Sequence, residues 1–279
     1  MTKHGSRDQE IVSADGTRLV IRRVGSGDPV LLLHGSGGGL HSWAAVADLL
    51  ADDHELWLLA RRGYGPSDVP PGPKSFADEV GDLRAVLAAI RGPSGRRVHL
   101  VGASYGAILA LHTAAANLPE LRSLAVFEAP FFAAGERVLP LLDRYRDALG
   151  RGDSRAATAV LNELTLTPAE IIARFEAAMA GREPDPAEQR RSGIGWLHDL
   201  EALAADSTET ARWSSITLPT LIMQGAETWE PMPSTMEGLA KAIPHARRVV
   251  WEGQTHFVTS TAPGLVADAL REFFAEVPA

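Results

Sequence analysis

Cysteine is absent from all 279 residues. That excludes a disulfide framework, a thiolate zinc site and a cysteine nucleophile, and it fits a reducing compartment. Basic charge is in deficit: 27 Lys and Arg face 35 Asp and Glu, a net charge of −8. With no basic stripe, the chain is a poor electrostatic match for nucleic acid or an anionic membrane. Long apolar runs are also lacking, and the longest fall short of a membrane span. The opening residues, Met1 to Glu10, carry no signal-like apolar stretch, so a cytoplasmic protein is expected. No Gly-Lys-Ser/Thr follows the Gly35 to Gly39 run, which excludes a P-loop. No H-E-x-x-H or similar ligand spacing occurs, so neither a metal nor another cofactor is expected.

What is present is an ordinary globular composition, 45% hydrophobic and 22% charged, enough to bury a sizeable core. Asp15-Gly16 between Ile11–Ser13 and Arg18–Val24 predicts a hairpin. Short continuous apolar runs follow at Pro29–Leu33, Leu56–Leu59, Val98–Val101, Leu124–Phe127, Thr220–Met223 and Arg248–Trp251. Such runs suit strands buried on both faces of a parallel sheet. Helical spacing lies between them, at Trp43–Leu50, Phe76–Ile90 and Ala107–Ala116, and again at Pro263–Phe274. From Phe131 to about Trp213 the strands stop, and Ala, Leu, Arg and Glu recur at helical spacing. The expected architecture is α/β: a doubly wound, mostly parallel sheet with an inserted helical cap. Residues 1–130 and 214–279 form the core in this reading, and 131–213 the cap.

Gly102-Ala103-Ser104-Tyr105-Gly106 follows an apolar strand and precedes a helix. That context gives G-x-S-x-G its meaning. The serine sits on a sharp turn that only small neighbours permit, and the helix start aims backbone N–H groups at negative charge. The same turn could also exist without chemistry. Of nine histidines, His256 stands out, because it follows the last strand and precedes the final helix. His245, in a Pro-flanked loop, is the weaker candidate, and His34 reads as structural.

Together His34-Gly35, Arg62-Gly63-Tyr64-Gly65-Pro66-Ser67, Gly102 to Gly106 and Gly253-Gln254-Thr255-His256 resemble the α/β-hydrolase superfamily, in particular its capped serine esterases and lactonases. The resemblance implies Ser104 as nucleophile, His256 as base, and an oxyanion hole from the backbone N–H groups of Ser36 and Tyr105. Two departures stand out. Ala60 replaces a frequent Asp, which is no triad member. The acid that many members carry in G-x-x-D is Thr228 here, in Gly225-Ala226-Glu227-Thr228. Some members place the acid after the strand next beyond the nucleophile helix, which here ends at Glu128. A carboxylate there needs a partner, and a histidine that becomes cationic is one. Glu128 is therefore favoured, with Glu230 and Glu227 as alternatives.

Trp43, Phe131, Phe132, Trp196 and Trp229, with Trp213, fall in loop or cap regions and predict an apolar pocket. Arg61 and Arg62 read as structural pairs. The expected activity is hydrolysis of a small to medium hydrophobic ester or lactone, with a small molecule as the partner. A C–C or thioester hydrolase, a cofactor-free perhydrolase, or a non-catalytic small-molecule receptor are the alternatives.

Overall fold

The computed structural model describes residues 5–92, 95–179 and 186–278. The chain opens with strands β1 (Ser6–Val12), β2 (Arg18–Gly25) and β3 (Asp28–Leu33). Helix α1 (Ala44–Leu50), strand β4 (His54–Ala60), helix α2 (Phe76–Arg91), strand β5 (Val98–Ala103), helix α3 (Tyr105–Ala115) and strand β6 (Leu121–Phe127) follow. Next come four helices, α4 (Leu139–Gly150), α5 (Ser154–Leu164), α6 (Ala169–Met179) and α7 (Pro186–Ala204). Among the described residues between β6 and the next strand there is no other strand. The chain closes with β7 (Thr220–Gly225), α8 (Met232–Ala242), β8 (Arg247–Trp251), α9 (Val258–Thr261) and α10 (Pro263–Glu276).

The eight strands make one sheet, ordered β1-β2-β4-β3-β5-β6-β7-β8. The β1–β2 and β2–β4 pairs are antiparallel, and every later pair is parallel. The two-residue period of a strand decides which side chain meets which layer. Leu31, Leu33, Leu100 and Val126 pack on the α2, α3 and α8 side. Val30, Leu32, Val101 and Phe127 pack on the α1 and α10 side. Buried residues of α4, α5 and α7, among them Leu142, Val160 and Leu200, join the first of these layers. The insertion therefore shares a core with the sheet. No helix among the described residues is long and apolar enough to cross a membrane.

Strand order changes direction between the parallel neighbours β3 and β5, the switch point of the sheet. In open α/β sheets ligands bind at the carboxyl ends of the strands beside such a point. The loops after β3 and β5 carry Ser36 and Ser104, and those after β6 and β8 carry Glu128 and His256. One fold position brings these residues to the same edge of the sheet.

Burial also sets an acid limit on stability. His99 is fully buried in β5, its Nδ1 2.7 Å from Ser123 Oγ. Burial, helped by the Arg122 charge, lowers it from 6.5 to about 3. His34, also buried, is lowered by burial and by Arg61. Both stay neutral in the fold at pH values where the unfolded chain binds protons. Their contribution is complete above about pH 7 and is lost as pH falls from about 6.5, at up to roughly 1.4 kcal/mol per pH unit for each. We expect Tm to fall steadily from pH 6.5 to 5, before ordinary carboxylates titrate, and His99→Gln to show a shallower slope. A Tm that stays level across that interval would reject this account.

Candidate active site

Ser104 is the pivot between β5 and α3, with φ 56° and ψ −124°. For a residue with a Cβ that left-handed backbone is strained by about 1–3 kcal/mol. The neighbouring glycines permit it. A Cβ on Gly102 would lie 2.1 Å from the Gly106 carbonyl oxygen, and one on Gly106 would lie 2.5 Å from that of Leu33. Gly35 crosses directly beside the serine, where its Cβ would stand 2.9 Å from Ser104 Cβ. The Ser104 N–H donates to the Phe127 carbonyl at 2.9 Å, which ties the turn to the end of β6.

The residue after Phe127 is Glu128, also left-handed at φ 45° and fully buried. Its carboxylate accepts hydrogen bonds from His256 Nδ1 at 2.6 Å, Gly225 N at 2.8 Å and Thr228 Oγ at 2.6 Å. Donors on both oxygens offset the desolvation of a buried charge. Glu227 and Glu230 are exposed, and Glu230 bonds the Ser234 N–H at the start of α8. The geometry thus joins Glu128, and neither of those two, to His256. Thr228, which takes the Asp place of the G-x-x-D pattern, donates to the acid. The loops meet closely here: the Glu227 N–H donates to the Gln254 carbonyl at 2.9 Å.

Bonding Nδ1 to a carboxylate leaves Nε2 as the free face of the imidazole. Phe127 stacks on the ring at 5.8 Å, and Trp229 lies edge-on at 6.4 Å. His245 is exposed and bonds the Leu218 carbonyl.

The loop after β3 is held from beneath. His34 Nδ1 donates to the Gly35 carbonyl at 2.7 Å, and its Nε2 accepts the Arg61 N–H at 3.1 Å. Arg61 donates to the His34 and Gly35 carbonyls at 3.0 and 3.4 Å. In a trans peptide C=O and N–H point opposite ways. Fixing the Gly35 carbonyl toward Arg61 therefore turns the Ser36 N–H to the other side. Gly37 N–H is occupied by the Tyr64 hydroxyl at 3.1 Å.

Arg61 belongs to a buried cluster that sequence reading did not find. Arg61, Lys74, Glu79 and Asp199 are all nearly inaccessible. Arg61 bonds Glu79 at 2.8 Å and Asp199 at 2.9 Å, and Lys74 pairs with Glu79 at 3.2 Å and Asp199 at 2.5 Å. The Arg61 guanidinium lies over the Tyr64 and Tyr105 rings, and the Tyr105 hydroxyl donates to Glu79 at 2.6 Å. Two cations balance two carboxylates, which is how buried charge is tolerated. Removing one partner costs about 3–5 kcal/mol. Burial acts to raise the Asp199 carboxyl, but Arg61 and Lys74 outweigh it and hold it well below the usual carboxylate range. Arg62 is likewise used internally, bonding Asp82 at 2.6 Å and Asp15 at 2.9 Å.

The aromatic candidates divide. Trp229 stands beside His256 and donates to the Thr165 carbonyl at 3.0 Å. Trp196 of α7 lies over the Gly37 turn, where a Cβ would meet its Nε1 at 2.6 Å. Phe132 is half-buried against the α2–α3 layer. Phe131 is 1% exposed and is core rather than pocket lining, packed there beside Trp213 with their rings 5.8 Å apart. Trp43 departs from the expectation. It is 2% exposed and packs in the α1–α10 layer with Val46 and Leu50. A large aromatic gains most by full burial, and this one is core. A cleft of about 1600 Å³ runs between Gly37–Gly39 and helices α4, α5 and α7. Gly37, Tyr64 and Trp196 line it, whereas Ser104 and His256 do not.

Comparison with known proteins agrees with the fold. The chain is 28% identical over 255 residues to RutD of Azorhizobium caulinodans, named as a carbamate hydrolase, covering 91% of this chain and 93% of that one. It is 28% identical over 274 residues to a pimeloyl-[acyl-carrier protein] methyl ester esterase of Xanthomonas campestris, covering 91% and 98%. The crystal structure of an α/β hydrolase from Sphaerobacter thermophilus matches with TM-score 0.79 and 32% identity, over 95% of this chain and 100% of that one. Residues 30–269 match the sequence profile of the alpha/beta hydrolase family. The chain belongs to the α/β-hydrolase family.

Proposed function

We propose that this protein cleaves a small to medium hydrophobic carboxylic ester or lactone through an acyl-enzyme. One observation carries the reading. The buried Glu128 carboxylate lies 2.6 Å from His256 Nδ1, on the sheet edge where Ser104 occupies the strand–helix turn. Ser104 Oγ attacks the acyl carbon, and His256 Nε2 takes its proton. The imidazolium so formed is stabilised by Glu128, which also fixes the tautomer. The backbone N–H groups of Ser36 and Tyr105 receive the oxyanion, the second at the start of α3 where the helix dipole adds to it. His256 then protonates the leaving alcohol. Water, deprotonated by the same imidazole, releases the acid and restores Ser104.

In this reading residues 131–213 act as a cap over the core of 1–130 and 214–279. The contacts of Trp196 with the Gly37 turn and of Trp229 with Thr165 support that role. A cap over the site would disfavour polymers. Trp196, Trp229 and Phe132 offer apolar surface, and its burial contributes roughly 25 cal/mol per Å². Arg61 and Arg62 are engaged by internal carboxylates and are not free to bind a substrate acid.

We expect kcat/KM to be highest for neutral acyl esters or aromatic lactones and at least about tenfold lower for carboxylate-bearing esters, roughly 1.4 kcal/mol of transition-state binding. Aryl carbamates belong in the same panel, given the name of the Azorhizobium relative. A clear preference for the anionic set would overturn the apolar reading and direct attention to Arg190 and Arg191 on the cleft wall.

A further inference from the structure

Asp199 lies in α7, within the insertion, yet its carboxylate is fully buried against groups of the sheet domain. Oδ2 accepts from Ser36 Oγ at 2.6 Å, the Tyr64 hydroxyl at 2.7 Å and Arg61 Nη2 at 2.9 Å. Oδ1 accepts from Arg61 Nη1 at 3.1 Å and pairs with Lys74. The Tyr64 hydroxyl also accepts the Gly37 N–H. Arg61, gripped by this carboxylate and by Glu79, holds the His34 and Gly35 carbonyls. Each residue from His34 to Gly37 is thus tied, directly or through one intermediary, to a carboxylate that arrives from the insertion. Trp196, one turn before Asp199 on α7, presses on Gly37 from above.

We propose that Asp199 is a positioning residue for the oxyanion loop: it orders residues 34–37 so that the Ser36 N–H faces the oxyanion, and it makes catalytic competence depend on α7 being seated. The proposal rests on the assignment of the Ser36 N–H as an oxyanion donor made above. A carboxylate on a rigid helix suits the task, because an oxyanion donor misplaced by an ångström loses most of its effect. The arrangement also means that the loop and the insertion are seated together or not at all.

The hydroxyl links can be cut without disturbing the charge balance. Ser36→Ala and Tyr64→Phe leave Arg61, Lys74, Glu79 and Asp199 in place. We expect each to lower kcat by about tenfold and the double variant by about 100-fold, with KM within about twofold, as befits an interaction made in the transition state. Affinity for an aryl boronic acid, whose tetrahedral adduct on Ser104 places an oxygen in the oxyanion hole, should weaken by the same factors. Ser36→Thr, which keeps the hydroxyl, should recover most of kcat. A folded Asp199→Asn should behave like the double variant, and where it fails to fold the hydroxyl variants decide. A lowered Tm with kcat and boronate affinity unchanged in Ser36→Ala/Tyr64→Phe would overturn the proposal and leave Asp199 a structural anchor. Failure of the wild type to turn over any ester, or to take a fluorophosphonate label at Ser104, would overturn the hydrolase reading and this proposal with it.

Discussion

Ser104→Ala should lower ester hydrolysis by about 10⁴- to 10⁶-fold while leaving the fold intact, since removing the nucleophile of a serine hydrolase forfeits nearly all covalent catalysis. The structure explains why the two effects separate. The strain at φ 56° is already present with serine, and alanine has the same Cβ constraint at that backbone. The turn is held by backbone groups, through the Ser104 N–H to the Phe127 carbonyl and the Ala107 N–H to the Ser104 carbonyl, both at 2.9 Å. None of these uses the hydroxyl. Tm should therefore move by only a few degrees, equivalent to about 1 kcal/mol. A fluorophosphonate should label the wild type and not the variant. A correctly folded Ser104→Ala protein that kept most of its activity would sink the acyl-enzyme mechanism.

How far the sequence alone reached depends on whether the signal was local. Parallel strands are apolar on both faces, so β3, β5 and β6 could be read from runs of four or five residues. β1 could be read only from Ile11 on, because its first residues are exposed and polar, held by backbone pairing to β2 and not by burial. α8 had no such reading. It begins at Met232 beneath a proline, and only Met232, Met236 and Leu239 are buried. The Ser104 turn was legible because its glycines are demanded by close backbone approach. Asp199 was not, since its partners Arg61 and Ser36 lie 138 and 163 residues away. Nothing in a helical run of mixed polarity marks which carboxylate will be buried. Arginine is seldom buried unless paired, and the pair here exists only in three dimensions. Trp43 shows the converse: an aromatic near a site-forming loop is more often core than ligand contact.

Glu128→Gln should lower kcat by about 10⁴-fold, the loss seen when an orienting carboxylate becomes an amide in a well-studied triad. The amide keeps the shape but offers His256 Nδ1 either a weaker acceptor or a competing donor. In the second case the imidazole is driven to the wrong tautomer. Gly225 N and Thr228 Oγ both donate to Oε1. They will therefore hold the amide oxygen and turn its NH₂ toward Nδ1, which is the damaging orientation. Glu230→Gln, at an exposed helix start, should leave kcat within about twofold, as surface changes away from chemistry do. A second experiment uses the position of Thr228, whose Oγ is 2.6 Å from the acid. In the background of Glu128→Ala, Thr228→Asp should recover at least about tenfold in kcat, because a carboxylate at 228 starts within hydrogen-bond reach of the vacated site. If Glu230→Gln proved the crippling change and Glu128→Gln were benign, the acid would lie after β7 and the role given to Glu128 would be wrong.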